Sequence, residues 1–181
     1  VQIWDVTAKI LRLRLVGQTS MISSLTFSPS GDLLVSASND QSVFIRRVST
    51  GEPVKVLGGF SGPVLSTAFS PDGRFLATAD SIREQPAVQV GGQLRIWDTR
   101  TWEILSTVRT QDATAVEFSP DGKSVALVEY GSILVFNTKG ELLRRLRSPD
   151  GLGLNGRIAF VPDGKTIAFG LGNVVYLLPL Q

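Results

Sequence analysis

The sequence predicts an all-β protein assembled from about four copies of one four-stranded antiparallel unit, and three observations predict it. The first is a turn written four times: FSPSG from Phe27, FSPDG from Phe69, FSPDG from Phe118 and FVPDG from Phe160. The second is the spacing. Phe27 to Phe69 is 42 residues, Phe69 to Phe118 is 49, and Phe118 to Phe160 is again 42. The third is that each interval divides into short runs rich in β-branched residues and bounded by turn signals, the pattern of strands and not of helices.

Within one unit the strands can be taken in order. VLSTAFSP (Val64–Pro71) is the first and RFLATADS (Arg74–Ser81) the second, followed by QLRIWD (Gln93–Asp98) and EILSTV (Glu103–Val108). Between the first two, Pro71 presets φ, Asp72 can bond the neighbouring backbone, and Gly73 accepts a positive φ. That reads as a three-residue hairpin loop with a bulge. Phe69 is expected to face inward and pack one unit on the next, as are Phe27, Phe118 and Phe160. The long interval carries a polar stretch, SIREQPAVQVGG (Ser81–Gly92), without counterpart in the others. Without about seven residues of it the period is uniform, and ~40–45 residues with four strands per unit is the period of a propeller blade. The expected fold is a β-propeller of four-stranded antiparallel blades.

Composition narrows the chemistry. The chain has 181 residues, 43% hydrophobic and 19% charged, with 18 glycines, a turn-rich globular composition. Its 18 basic and 16 acidic side chains leave a net charge of +2, too little to indicate a nucleic-acid partner. There is no cysteine, which excludes disulfides, thiolate metal sites and a cysteine nucleophile, and there is no histidine, the commonest general base and metal ligand. No apolar run approaches the ~20 residues of a membrane helix. No metal, cofactor or catalytic residue is expected. Asp72, Asp121 and Asp163 are turn residues too far apart to pair, and GLGLNG (Gly151–Gly156) lies between strands with no helix to follow it.

A second landmark recurs downstream of the turns. IWD stands at Ile3–Asp5 and Ile96–Asp98, with IRR, VFN and YLL at the equivalent places Ile45–Arg47, Val135–Asn137 and Tyr176–Leu178. A strand ending in WD about twenty residues after FSPDG resembles the WD-repeat β-propellers, and the resemblance covers the whole chain. It implies blades sharing strands between successive repeats, a core role for the indoles of Trp4 and Trp97, Asp5 and Asp98 as structural residues of the repeat, and a rigid platform for protein partners rather than an enzyme. The alternative is a regulatory propeller within a larger multidomain kinase or peptidase. The family's Gly-His before the first strand is replaced by Gly17-Gln18 and Gly59-Phe60. The His–Ser/Thr–Asp–Trp network that the resemblance implies is therefore not expected, and the blades are expected to be held more by packing than by buried polar networks.

The chain starts and stops near third strands. The expectation is one propeller domain over residues 1–181, the C-terminal portion of a larger ring whose missing N-terminal blades complete it; closure by a second copy, or alone with four blades, are the alternatives. The candidate partner-binding residues are Ile82, Arg83, Glu84 and Gln85 on the insertion, with Gln18 and Phe60. The partner itself is an unidentified protein, in the cytoplasm. The arginines of LRLRL (Arg12, Arg14) and LLRRLR (Arg144, Arg145, Arg147) read as outer-strand charges that discourage unwanted edge pairing. They lack the interleaved aromatics of a nucleic-acid surface. Trp102, in a turn, is the one tryptophan expected to be exposed.

Overall fold

The computed structural model describes residues 1–85, 88–147, 157–171 and 174–180, and these form seventeen strands in five antiparallel sheets. Blade I holds two, β1 (Gln2–Asp5) and β2 (Ile10–Arg14). Blade II holds β3 (Ile22–Phe27), β4 (Leu33–Ser38), β5 (Val43–Arg47) and β6 (Pro53–Leu57) in that spatial order. Blade III repeats the meander with β7 (Val64–Phe69), β8 (Phe75–Gln85), β9 (Val88–Asp98) and β10 (Ile104–Thr110). Blade IV does so with β11 (Ala115–Phe118), β12 (Ser124–Glu129), β13 (Ser132–Asn137) and β14 (Leu142–Arg147). Blade V has three strands, β15 (Ile158–Phe160), β16 (Thr166–Leu171) and β17 (Val174–Pro179).

The sheets stack face to face. The first strands β3, β7, β11 and β15 are neighbours in that order, and the apolar core lies in three layers, one between each successive pair of full or three-stranded blades. Strand alternation produces this. On β8, Leu76, Thr78 and Asp80 face blade II, while Ala77 and Ala79 face blade IV and join Leu94, Ile96, Val125 and Leu127 there. The middle strands are thus buried on both faces, largely apolar but with Thr78 and Asp80 of β8 and Arg95 of β9 among the buried polar groups.

The repeated turn has the expected glycine conformation at all four places: Gly31, Gly73, Gly122 and Gly164 have φ of 69–75°. The loop is nevertheless four residues long, not three. Ser70 N–H donates to the Phe75 carbonyl, and the Phe75 N–H returns to the Ser70 hydroxyl at 2.9 Å instead of to its carbonyl. The same exchange links Ser28 with Leu33 and Ser119 with Ser124. The serine before the proline supplies the acceptor that lets the loop widen. The turns also touch one another: a Cβ at Gly73 would stand 3.6 Å from Pro29, one at Gly122 3.5 Å from Pro71, and one at Gly164 3.7 Å from Pro120.

Neighbouring first strands are joined by hydrogen bonds that repeat with the blades. Ser24 Oγ accepts the Thr67 N–H, and Ser66 Oγ accepts the Val116 N–H, each at 3.2 Å. At the third junction alanine stands where the serine was, and the Glu117 carboxylate takes the Phe160 N–H at 3.4 Å.

Trp97 is core as expected, 4% exposed, but Trp4 is 55% exposed. Blade I has two strands rather than four, so the indole of Trp4 lacks the covering that its counterpart has; its N–H donates to Gln2 Oε1 at 3.2 Å. Phe27 departs from expectation for the same reason. Phe118 and Phe160 are buried and Phe69 packs on the core, whereas Phe27, facing blade I, is 54% exposed. Trp102 is not exposed either: it packs against the cluster of Phe60 and Trp97, with φ of 60° at a turn position that Gly51 and Gly140 fill in neighbouring blades.

Candidate partner-binding surface

The insertion is not a loop. Strands β8 and β9, 11 residues each, run on into it over Ser81–Gln85 and Val88–Gly92, pairing Ser81 with Gly92, Ile82 with Gly91, Arg83 with Gln89 and Gln85 with Val88. The result is a hairpin arm continuing the middle of blade III past the ends of β7 and β10. Its polar composition disguised it, because β-branched and apolar residues are few there. Two register shifts, at Ile82/Arg83 and Arg83/Gln85, are bulges that bend such ribbons.

The base of the arm is clamped on both sides. Ser81 N–H donates to the Pro63 carbonyl at 3.0 Å and Arg83 N–H to the Ser61 carbonyl at 3.3 Å. On that same side a Cβ at Gly62 would lie 2.4 Å from the Ser81 carbonyl oxygen, and on the other side one at Gly92 would lie 2.3 Å from the Ala113 nitrogen. Only glycine permits these crossings. The arm is therefore a rigid continuation of the blade rather than a tether.

The four arm candidates share the strand β8, Ile82 half-buried and Arg83 exposed. The side chains of Glu84 and Gln85 lie outside the described residues, as does the whole of GLGLNG. Gln18 and Phe60 are not brought to them. Phe60 is buried, its ring 5.9 Å from that of Trp97 and 4.5 Å beneath the Arg95 guanidinium. Gln18 is half-buried, its amide held by Ser36: Nε2 donates to the Ser36 carbonyl at 2.9 Å and Oε1 accepts from the Ser36 hydroxyl at 2.7 Å. Both are internal plugs, each wedged from the connecting segment against the face its blade turns to the one before. Neither is offered to a partner.

Polar contacts accompany the apolar layers that hold the blades. In blade III the Trp97 indole N–H still donates to Thr78 Oγ1, at 3.1 Å. In blade II the glutamine stands in for the missing histidine, and Asp40 accepts the Thr19 N–H at 2.6 Å and the Ser42 hydroxyl at 2.5 Å. Arg46, in the tryptophan's place, stacks on Phe44 and donates to the Gly51 and Val16 carbonyls. The polar scaffold persists in altered chemistry.

Two buried acids went unnoticed in the sequence. Asp80 ends the inner part of β8 and Glu129 ends β12, at equivalent distances from the repeated phenylalanines. Asp80 is 0% exposed and lies 3.7 Å from Arg95 Nη2, which itself donates to Gln93 Oε1 at 2.6 Å and to the Gly59 carbonyl at 3.1 Å. Among the described residues neither Asp80 oxygen, nor Ser81 Oγ, nor Arg95 Nη1 makes a hydrogen bond of full geometry, the Ser61 backbone amide bearing only weakly on the Asp80 carboxyl. Burial outweighs the nearby guanidinium and pushes the Asp80 carboxyl up from 3.8 to about 6. Glu129 is better served: Arg145 Nη1 donates to its Oε1 at 3.2 Å. An acid at the end of an otherwise apolar run, as in ATAD and ALVE, was the available signal.

Nothing in the described residues assembles a catalytic set. Asp72 and Asp121 each accept the hydroxyl of their turn serine at 2.6 Å and a backbone N–H two residues on, and the serine bond is the main cause holding their carboxyls below the usual range. Asp163 accepts the Lys165 N–H at 2.9 Å. A trough of about 340 Å³ over the first strands is lined by the hydroxyls of Ser24, Thr26, Ser66 and Thr114, with Glu117 and Arg157, but its serines are the inter-blade rungs already described. No group of His, Cys, Asp and Glu among the described residues could hold a metal ion. The arginine-bearing strands β2 and β14 are outermost in their sheets, as expected, and Arg12 lies 3.7 Å from Asp5.

Comparison with known proteins agrees with this architecture. The family model described as WD domain, G-beta repeat matches residues 9–46 and 51–98. WD repeat and SOCS box-containing protein 1 of Takifugu rubripes is 42% identical over 80 residues, 43% of this chain and 19% of that protein. The periodic tryptophan protein 2 homolog of Schizosaccharomyces pombe is 29% identical over 117 residues, 63% of this chain and 13% of that protein. Pre-mRNA-processing factor 19 homolog 2 of Arabidopsis thaliana is 28% identical over 153 residues, 82% of this chain and 27% of that protein. In each case the chain spans a small part of its relative's length. Each matched segment runs from the outermost strand of one blade through the three inner strands of the next, β2 to β5 and then β6 to β9, and over these residues the chain is similar to the WD-repeat family.

Proposed function

We propose that this chain is a non-catalytic protein–protein interaction scaffold whose partner docks on the arm of blade III. The WD-repeat family is typically non-catalytic and protein-binding, and the acids of the described turns are engaged in holding those turns. The observation that carries the reading is the arm itself: the ends of two 11-residue strands carried beyond the sheet and clamped by Gly62 and Gly92. A rigid projection of this kind offers side chains and strand edges at little cost in conformational entropy on binding. The test replaces Arg83 to Val90 by a two-residue turn and compares the proteins captured from a cell extract. Loss of specific partners with an unchanged thermal transition is expected. Capture of the same proteins by the trimmed chain would place docking elsewhere.

A further inference from the structure

The fourth strands give a common ruler for the spaces between blades. Leu15, Leu57 and Val108 occupy equivalent register positions on or just after β2, β6 and β10. From Leu15 to Phe27 and from Leu57 to Phe69 the chain takes 12 residues, but from Val108 to Phe118 it takes 10. The two longer connections fold a plug back between blades, Gln18 in one and Phe60 in the other. The shorter one cannot. The residue at the corresponding step, Gln111, is exposed at the border.

The space left open is a groove of about 540 Å³ between blades III and IV. Leu134 and Phe136 of β13 form its floor, with Val108 on one wall, Leu142 on the other, and Val90 of the arm at its mouth. Arg109 and Arg145 border it, and the one acid in its lining, Glu129, is already bonded to Arg145. Val90 and Leu142 are 47% and 52% exposed. An apolar trench flanked by guanidinium groups is complementary to an apolar side chain followed by carboxylates.

We propose that this groove is a docking site for an extended peptide segment of a partner, whose apolar side chain takes the place of the plug that blade IV lacks and whose acidic residues meet Arg109 and Arg145. This rests on the scaffold reading and moves the decisive contact from the arm's tip to its base. Since Val90 belongs to the arm, the arm both shapes the groove and presents it.

The test uses the full chain and a short fluorescein-labelled peptide bearing a leucine–phenylalanine pair followed by glutamates, read by fluorescence anisotropy. Saturable binding is expected, with Leu142→Glu and Val90→Glu each weakening it by about tenfold or more, equivalent to ~1.4 kcal/mol. Both sites are solvent-exposed, so the variants are expected to keep the unaltered thermal transition. Val175→Glu, at an apolar residue of β17 outside the groove that is 72% exposed, should bind like the unaltered chain. A companion peptide with lysines for the glutamates should fail, and raised salt should weaken the acidic one. Absence of saturable binding, equal loss in all three variants, or equal binding of the lysine peptide overturns the groove. In the extract assay, retained capture by Leu142→Glu alongside loss in the trimmed arm also overturns the groove while leaving the scaffold reading standing.

Discussion

Asp80 and Glu129 occupy one position in two neighbouring blades, and their surroundings separate them. Asp80 is sealed against blade II beneath Phe60 and Gly59, and its partner Arg95 is itself buried and shared with Gln93 and a carbonyl. Glu129 is just as inaccessible at 2% exposed, but Arg145 comes from the outermost strand, 43% exposed, and carries the pair to the edge of a groove. The plug makes the difference. Where the connecting segment folds Phe60 between the blades, an ion pair is closed off from water; where the segment is two residues shorter, the equivalent pair borders solvent. A sealed, incompletely hydrogen-bonded pair is held at a cost that an open one escapes.

The contrast can be broken most severely at Arg95. Arg95→Met removes the charge facing Asp80 and the donors to Gly59 and Gln93, and a loss of about 3–5 kcal/mol in urea unfolding is expected. The double variant Asp80→Leu with Arg95→Met should recover much of that loss, because replacing both partners leaves no orphan charge. Failure to recover would show that the Arg95 stack on Phe60, and not the charge, is what matters.

The next effect in size depends on pH. The folded Asp80 holds its proton up to about 6, against 3.8 when unfolded, so its contribution to stability is fully present below the unfolded value and lost as pH rises from about 4 to about 6, by up to about 3 kcal/mol. The turn aspartates, held low, act in the opposite direction at lower pH. The difference between the unaltered chain and Asp80→Asn isolates the buried group: it should slope across pH 4–6 and flatten above it. A flat difference would mean that Asp80 is ionised throughout.

Arg145→Met should cost less, about 1–2 kcal/mol, because removing an exposed arginine lets groove water reach Glu129. A loss as large as that of Arg95→Met would erase the distinction between sealed and open pairs. The smallest effect is expected at the inner rungs: Ser66→Ala removes one acceptor for Val116 N–H and should lower stability by about 1 kcal/mol, with Ser24→Ala close to it.

The sequence carried the repeating parts of this molecule and missed the parts that break the repeat. The turns were legible because Pro71, Asp72 and Gly73 each have a local conformational reason to be there, and the strands because their apolar residues are covered on both faces. The arm was misread because SIREQPAVQVGG has loop composition, and its strand state comes from pairing across the hairpin and from Gly62 and Gly92, whose reason is a distant backbone. Gln18 and Phe60 were assigned to a partner because their inward direction depends on the length of the preceding connection. The pairing of Asp80 with Arg95, and of Glu129 with Arg145, depends on which strands lie side by side. A count of residues from each fourth strand to the next turn would have located the groove.

The close approach of three of the four turn glycines to the preceding blade's proline has an architectural consequence. Gly73 lies against Pro29, Gly122 against Pro71 and Gly164 against Pro120, so blades III, IV and V each take their bearing from the one behind, like steps cut against a common riser. Errors in angle would accumulate along such a staircase, and the proline and glycine shared by all four turns keep them from doing so. An arm can lengthen in one blade and a connection shorten in the next without disturbing the pitch, leaving the periphery open to change while the inner stair stays fixed.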